Sequence, residues 1–500
     1  MVESSEVTLE IESLDLDANG VARSQEGKVV FVRGALPGER VRARIVRRKP
    51  RFDVAQTLEV LRESGQRVTP RCPHFGVCGG CAMQHLDPSA QLAIKQRALE
   101  DQLQHIARLR PASMLRPISG PAWGYRYRAR LSVRHVPKKG GVLVGFHERG
   151  SSYVADMRSC EVLPRRVSDL LPALRDLIAS LQLRDRLPQI EVALGDQGPG
   201  QGKGQILALV FRVLDPMDQE DRQKLIEFAR RHQFELWVQP GGPDSIVLWW
   251  APDGEPDSPQ SRLGYALEEF HVRISYRPTD FTQVNHRINE ALVARAIRLL
   301  EPAPSDRVAD LFCGLGNFSL PLARRCAEVV GIEGSAALVA RAAENARLNQ
   351  LDTRASFRTA NLFQINPQAW AALGAFDRVL IDPPREGALE VCKAIAQDAH
   401  RPTRIVYVSC NPATLARDAA VLTHNRRFRL TAAGAINMFP HTAHVESIAL
   451  FEPYDEQSAE HPEPRAGLPA KVDKSPSAAS DIEGDVTIQI GQPAKAGSNR

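Results

Sequence analysis

Long apolar runs are missing from this 500-residue sequence. No stretch approaches the roughly eighteen consecutive apolar residues of a membrane-spanning helix, so no membrane partner is expected. The first residues, MVESSEVTLEIESLDLD, are acidic and lack the basic-then-apolar order of a signal peptide. A cytoplasmic location is the expectation. A strong charge imbalance is also lacking. A net charge of +5 and a pI near 8.8 do not by themselves imply nucleic acid. Internal repeats are absent, and from 455 to 500 the chain has no apolar period. That tail is expected to be disordered and without chemistry. Cysteine is sparse, with eight residues. In a reducing compartment these serve thiolate chemistry or metal ligation rather than disulfides.

What is present is an ordinary globular composition, 43% hydrophobic and 25% charged. The length exceeds what one core supports, which predicts about three domains in an α/β multidomain protein. In residues 1–63 the runs VTLEIESL, GKVVFVRG, RVRARIVRR and DVAQTLEVL are β-prone, separated by Asp-Ala-Asn-Gly and Leu-Pro-Gly turn signals. Some five strands in that length suit a small barrel of the oligonucleotide-binding kind. Residues 64–275 form a central α/β domain. It opens on a cysteine cluster and a helix whose apolar stripe is read as Leu92, Leu99, Leu103 and Ile106. Residues 276–454 alternate strands and helices as a doubly wound, Rossmann-like sheet does. The basic runs 40–51 and 125–139 supply cations of the kind that phosphate contacts need, and a solvated strand face is the bland alternative.

RVADLFCGLGNFSLPLA (307–323) is a strand, a Gly-rich turn and a helix. Seventeen residues beyond Gly316, EVVGIEG ends a second strand in Glu333, whose carboxylate can accept both ribose hydroxyls of a nucleoside. The turn reads G-L-G-N-F rather than G-x-G-x-x-G, so no pyrophosphate is cradled. That favours S-adenosylmethionine over a dinucleotide. Asn361 and Asp382 fall at the ends of the next two strands, facing the same crevice.

RIVYVSCNPATLARD (404–418) is a buried strand that ends at Cys410, stopped by Asn-Pro and followed by a helix. A cysteine at the carboxyl edge of such a sheet lies where the ligand crevice belongs, and the helix start is expected to favour its thiolate. C5 of uracil is a poor nucleophile. A thiolate added at C6 turns C5 into an enolate carbon that can attack a sulfonium methyl, after which a base must remove the C5 proton. PHTAHVESIALF (440–451) offers Glu446 as that base. His441 and His444 beside it are read as loop hydrogen bonds rather than RNA contacts.

Cys72, Cys78 and Cys81 are spaced C-x5-C-x2-C, and Cys160 is the nearest later cysteine. Four thiolates imply zinc or an iron–sulfur cluster. The single C-x2-C pair argues against a zinc ribbon, and a [4Fe–4S] cluster is the preferred occupant.

With FTQVN (281–285), DLFCGLGNF, VVGIEG, DPPREGA, VSCNPATLARD and PHTAHVES in this order, the chain resembles the bacterial RNA uracil-5-methyltransferases over residues 5–453. The resemblance implies an RNA-binding TRAM barrel at the N-terminus and an iron–sulfur domain around the four cysteines. It also implies cofactor contacts at Gln283, Phe312, Asn317, Glu333, Asn361 and Asp382, with Cys410 as nucleophile and Glu446 as base. The expected partner is 23S ribosomal RNA at uridine 1939, with transfer RNA or another uridine of that RNA as alternatives. No DNA partner is expected, and a monomer is. Two other readings compete. An RNA cytosine-5-methyltransferase would want a carboxylate beside the nucleophile, and Ser409 and Asn411 offer none. A catalytically silent ribosome-assembly factor would not need Cys410, Glu446 and Glu333 intact.

Overall fold

In the computed structural model, residues 5–15, 17–196, 204–252 and 263–455 are described; the tail expected at 455–500 lies outside them save for its first residue. The described residues up to Pro453 belong to one compact unit. It is built on three sheets.

The first sheet has six strands, with Glu6–Glu10, Arg40–Arg48, Phe52–Arg62, Val29–Arg33, Asn19–Arg23 and Ser13–Leu14 in spatial order. Alternation of the pleat buries Val41, Ala43 and Ile45 against Leu9, Ile11, Val30 and Val32, and leaves the arginines between them outside. The sequence reading treats Asp-Ala-Asn-Gly as a turn alone. Asp15 does cap that turn, accepting from the Asp17 and Asn19 amides, and Ala18 takes a left-handed φ of 59°. A strand starts immediately at Asn19, so the count is six rather than five.

The second sheet has eight strands. Its centre is Gln189–Asp196, flanked by Gln205–Arg212 and by Arg128–Val136. Cys78 and Cys160 belong to the core beneath it.

The third sheet carries the parallel order Ala355–Thr359, Glu328–Glu333, Arg307–Leu311, Arg378–Ile381, Arg404–Ser409. Strand order reverses at Arg307–Leu311, which opens a crevice at the carboxyl ends on either side of it. One antiparallel strand interrupts this parallel set. Glu446–Pro453 is inserted between Arg404–Ser409 and Phe428–Ile436. Residues Ser113–Met114 of the central segment add a short parallel strand beyond.

The helix Pro88–Gln102 corrects a sequence reading. Its buried positions are Gln91, Lys95 and Leu99, while Leu92 is half-buried and Ile106 is exposed. The stripe that faces the third sheet is thus polar over its first half. No helix among the described residues is long and apolar enough to cross a membrane.

Candidate active site

The crevice forms where the strand Arg307–Leu311 gives way to Phe312–Gly316. Phe312 turns with a φ of 63°, and Gly314 and Gly316 at 53° and 89° complete the loop in a region that glycine enters freely. The Gly314 amide donates to Glu333 (3.2 Å), whose other oxygen accepts from the Ser335 amide (3.0 Å). The acid is thereby fixed at the end of its strand. Asp382 follows the fourth parallel strand, its amide donating to the Leu311 carbonyl (3.2 Å). Asn361 is exposed, accepting from the Phe363 amide, and the Phe363 ring packs 5.5 Å from Phe312. Gln283 is half-buried on the loop before the helix His286–Leu300. Asn317 is held tightly. It exchanges amide hydrogen bonds with Asn289 (2.9 and 3.0 Å) and accepts from the Tyr265 hydroxyl (2.8 Å). Neither Asn289 nor Tyr265 was legible as a partner in the sequence, because nothing in a local motif links residues so far apart.

Cys410 and Glu446 come together through strand register. Val408 pairs with Ile448 and Ser409 with Ser447 at the end of the antiparallel ladder, and Cys410 and Glu446 are the residues adjoining that last pair on the two segments. Glu446 is buried and Cys410 half-buried. Arg385 of the DPPREGA stretch lies close enough to act on both, its guanidinium 3.3 Å from the His444 ring.

The electrostatics of this edge are carboxylate-heavy. Burial pushes the Asp382 carboxyl up to about 7. Burial, then Asp382, pushes Glu446 up to about 8, against the pull of Arg385 and Lys95. Burial, then Glu446 and Asp382, pushes the Cys410 thiol up to about 12. The sequence expectation of a thiolate favoured by the helix start is therefore corrected. The Asn411 side chain takes up the Ala413 amide at that helix start (3.0 Å), and desolvation beside two carboxylates outweighs what donors remain.

His441 is buried among residues of its own fold. Its ring stacks on Trp123 (3.9 Å), its amide donates to Gln91 (2.9 Å), and its carbonyl accepts from the Ala82 and Met83 amides.

Cys72, Cys78, Cys81 and Cys160 line one small cavity with Phe75, Phe146 and Met157. All four are free thiols. The Gly80 amide points at Cys78 Sγ (3.4 Å), and a side chain at Gly80 would press on the Phe146 ring. Burial pushes Cys81 up to about 12 and Cys160 to about 11, each raised further by the other cysteines. Among the described residues no group of three or more His, Cys, Asp or Glu side chains is arranged to hold a metal ion.

Several cations of the basic runs, and Arg62 beyond them, are paired within the fold. Arg42 pairs with Glu6 and Glu59, Arg44 with Glu6, and Arg40 and Arg62 with Glu10. Arg128 bonds the Pro278 carbonyl and Arg130 pairs with Glu191.

Comparison with known proteins places the chain in a family. A family model described as tRNA (uracil-5-)-methyltransferase matches residues 88–453, and a TRAM domain model matches residues 3–57. The 23S rRNA (uracil(1939)-C(5))-methyltransferase RlmD of Bordetella avium is 56% identical over 97% of this chain and 99% of its own. The protein of the same name from Bordetella bronchiseptica is 59% identical over 90% of this chain and 93% of its own. Among solved structures, the tRNA (uracil-54, C5)-methyltransferase of Pyrococcus abyssi, in complex with S-adenosyl-L-homocysteine, superimposes with a TM-score of 0.65. It shares 22% identity over 89% of this chain and all of that one, a likeness of fold.

Proposed function

Because the chain belongs to the tRNA (uracil-5-)-methyltransferase family, we propose that it transfers a methyl group from S-adenosylmethionine to C5 of a uridine in 23S ribosomal RNA, at the position 1939 named for its relatives. The observation that supports the reading is that Cys410 and Glu446 adjoin the last ladder pair, Ser409 and Ser447, at the carboxyl end of the nucleophile strand.

When bound, S-adenosylmethionine supplies the methyl group and a positive sulfonium that offsets the carboxylates around Cys410. Gln283, Phe312, Asn317, Glu333, Asn361 and Asp382 are the residues proposed to hold it. Cys410 adds as thiolate to C6 of the uracil, and the C5–C6 electron pair becomes an enolate. C5 takes the methyl group. Glu446 then accepts the proton from C5, the C5=C6 bond re-forms, and the Cys410 sulfur leaves with its electron pair. A buried carboxylate with a raised proton affinity suits that last step, since a base works best when its pKa is near the working pH.

The finer assignment of the cysteine cavity is a [4Fe–4S] cluster. What supports the reading is that four cysteine thiols line one small cavity, where a cluster with thiolate ligands would sit. Cys72, Cys78, Cys81 and Cys160 would be its ligands, and no step of the methyl transfer runs through it.

The test is transfer of labelled methyl to unmodified 23S and transfer RNAs, followed by digestion to nucleosides. The expected product is 5-methyluridine in 23S RNA alone. Label in transfer RNA alone would overturn the target, and 5-methylcytidine would overturn the reaction.

A further inference from the structure

Glu446 is assigned the last step of the reaction, yet among the described residues its carboxylate has no hydrogen bond and no ion pair. Where it stands is set by the backbone that carries it. That backbone is one end of a hairpin, in which Ile436 pairs with Glu446 and residues 437–445 connect the two strands. Hairpin connections usually run to about two to five residues, and a longer one must be held by something else. Residues of the central segment supply much of that hold. Lys95 donates to Asn437 Oδ1 and to the Phe439 carbonyl, both at 2.8 Å, and the Tyr125 hydroxyl donates to the Pro440 carbonyl (2.9 Å). Gln91 accepts from the His441 amide (2.9 Å), and its own amide nitrogen donates to the Met83 and Leu86 carbonyls (3.0 and 2.8 Å). One buried side chain thus ties the loop to the turn that follows the cysteine cluster.

His441 is the centre of the hold. Its φ of 66° lies in the left-handed region, a conformation that persists in a residue with a side chain only where the surroundings over-determine it. They do so here through every group it has. Gln91 takes its amide, the Ala82 and Met83 amides take its carbonyl (2.8 and 2.9 Å), and the Trp123 ring stacks on its own. All of these partners come from residues 82–125. The bend they enforce lies a few positions before Glu446.

We propose that Gln91 and Tyr125 are positioning residues for the base: they clamp the loop 437–445 to the central segment and so fix where Glu446 stands when the C5 proton must leave. The proposal rests on the reading of Glu446 as the base. It makes the second half of the reaction, and not the first, depend on contacts outside the methyltransferase sheet.

The experiment uses full-length, anaerobically purified enzyme as Gln91→Leu, which removes the amide at similar bulk, and as Tyr125→Phe, which removes one hydroxyl. Two rates are read: covalent capture of RNA carrying 5-fluorouridine at the target, which stops before the base acts, and release of methylated RNA in single turnovers. Capture should stay near that of the parent. Release should fall by about tenfold in Gln91→Leu and about threefold in Tyr125→Phe, since a misplacement of about 1 Å can cost about 10²-fold, and the methylated adduct should accumulate meanwhile. Hydrogen exchange of the His441 amide should quicken in Gln91→Leu. Capture and release lowered by one common factor, release unchanged in both variants, or exchange unchanged in Gln91→Leu would each overturn the proposal; should Gln91→Leu fail to fold, the rates of Tyr125→Phe decide. Glu446→Gln is the control for the base itself. Normal release in that variant overturns the base assignment, whereas a trapped adduct there beside normal release in Gln91→Leu and Tyr125→Phe overturns the clamp alone.

Discussion

Cys410 and Glu446 adjoin the same ladder pair yet are assigned opposite ends of one reaction, and single substitutions should separate them. Cys410→Ala is expected to abolish both turnover and any covalent RNA complex. Glu446→Gln keeps the shape of the side chain but cannot accept the C5 proton. Methylated RNA should then accumulate bonded to Cys410, visible as a retarded band on a denaturing gel, because without general-base help release slows by about 10²–10⁴-fold. Free methylated RNA at the unaltered rate would hand the base role to another group. His444 is the residue to try first, since the His441 ring is stacked on Trp123. At this scale the sequence was most informative where one motif held both residue and context, as VSCNPATLARD does for Cys410. It misjudged the thiol's protonation, because a helix start can be read from Asn-Pro whereas two carboxylates arriving from other strands cannot.

Elements show where local reading runs out. Periodicity found the helix Pro88–Gln102 and rightly put Leu99 and Leu103 in the buried stripe, but it added Leu92 and Ile106 and missed the polar residues. The true inward face is Gln91, Lys95 and Leu99, and it is polar because it grips a catalytic loop rather than filling a core. The parallel strands were legible as β-branched runs, whereas the insertion of Glu446–Pro453 between two others was not, since register is a long-range property. The first sheet is fastened to the cysteine segment by Glu39, fully buried, which accepts from Arg67 (2.6 and 2.8 Å) and from the Leu36 amide (2.8 Å). Burial alone would raise this carboxyl, and the bonds from Arg67, Leu36 and Ser64 reverse that and hold it below its usual 4.5. A lowered carboxyl contributes stability that is complete above the ordinary value and disappears as pH falls through the lowered one. The attachment is therefore expected to loosen only in acid, below about pH 4.5. Glu39→Gln should cost about 3 kcal/mol or more at neutral pH, because it leaves Arg67 short of its anion. Denaturant unfolding at pH 7 and pH 3 measures both effects, and a variant as stable as the parent at pH 7 would contradict them.

For the whole molecule, two properties test the domain-level proposals. Protein purified without oxygen is expected to be brown, absorb near about 400 nm and contain iron and acid-labile sulfide, with the colour gone in Cys78→Ser. Zinc in place of iron would refute the cluster while leaving the site. Removal of residues 1–63 should weaken RNA binding more than cofactor binding. It should also flatten the salt dependence of RNA affinity by about one unit of log–log slope for each phosphate left without its cation. The flattening should be modest, since Arg40, Arg42, Arg44 and Arg62 already carry acidic partners; an unchanged slope would mean the first sheet does not touch the phosphates. The inserted strand Glu446–Pro453 has a consequence for how the enzyme comes into being. It is the final strand of the chain's third sheet, yet it lies inside that sheet and not at its rim. During synthesis the nucleophile strand therefore waits with one bare edge, and the strand Phe428–Ile436 waits for its inner neighbour, until residue 453 has emerged. A nascent chain holds Cys410 without the acid assigned to release it, and any stop or nick within 446–453 leaves the sheet split through its middle rather than merely trimmed.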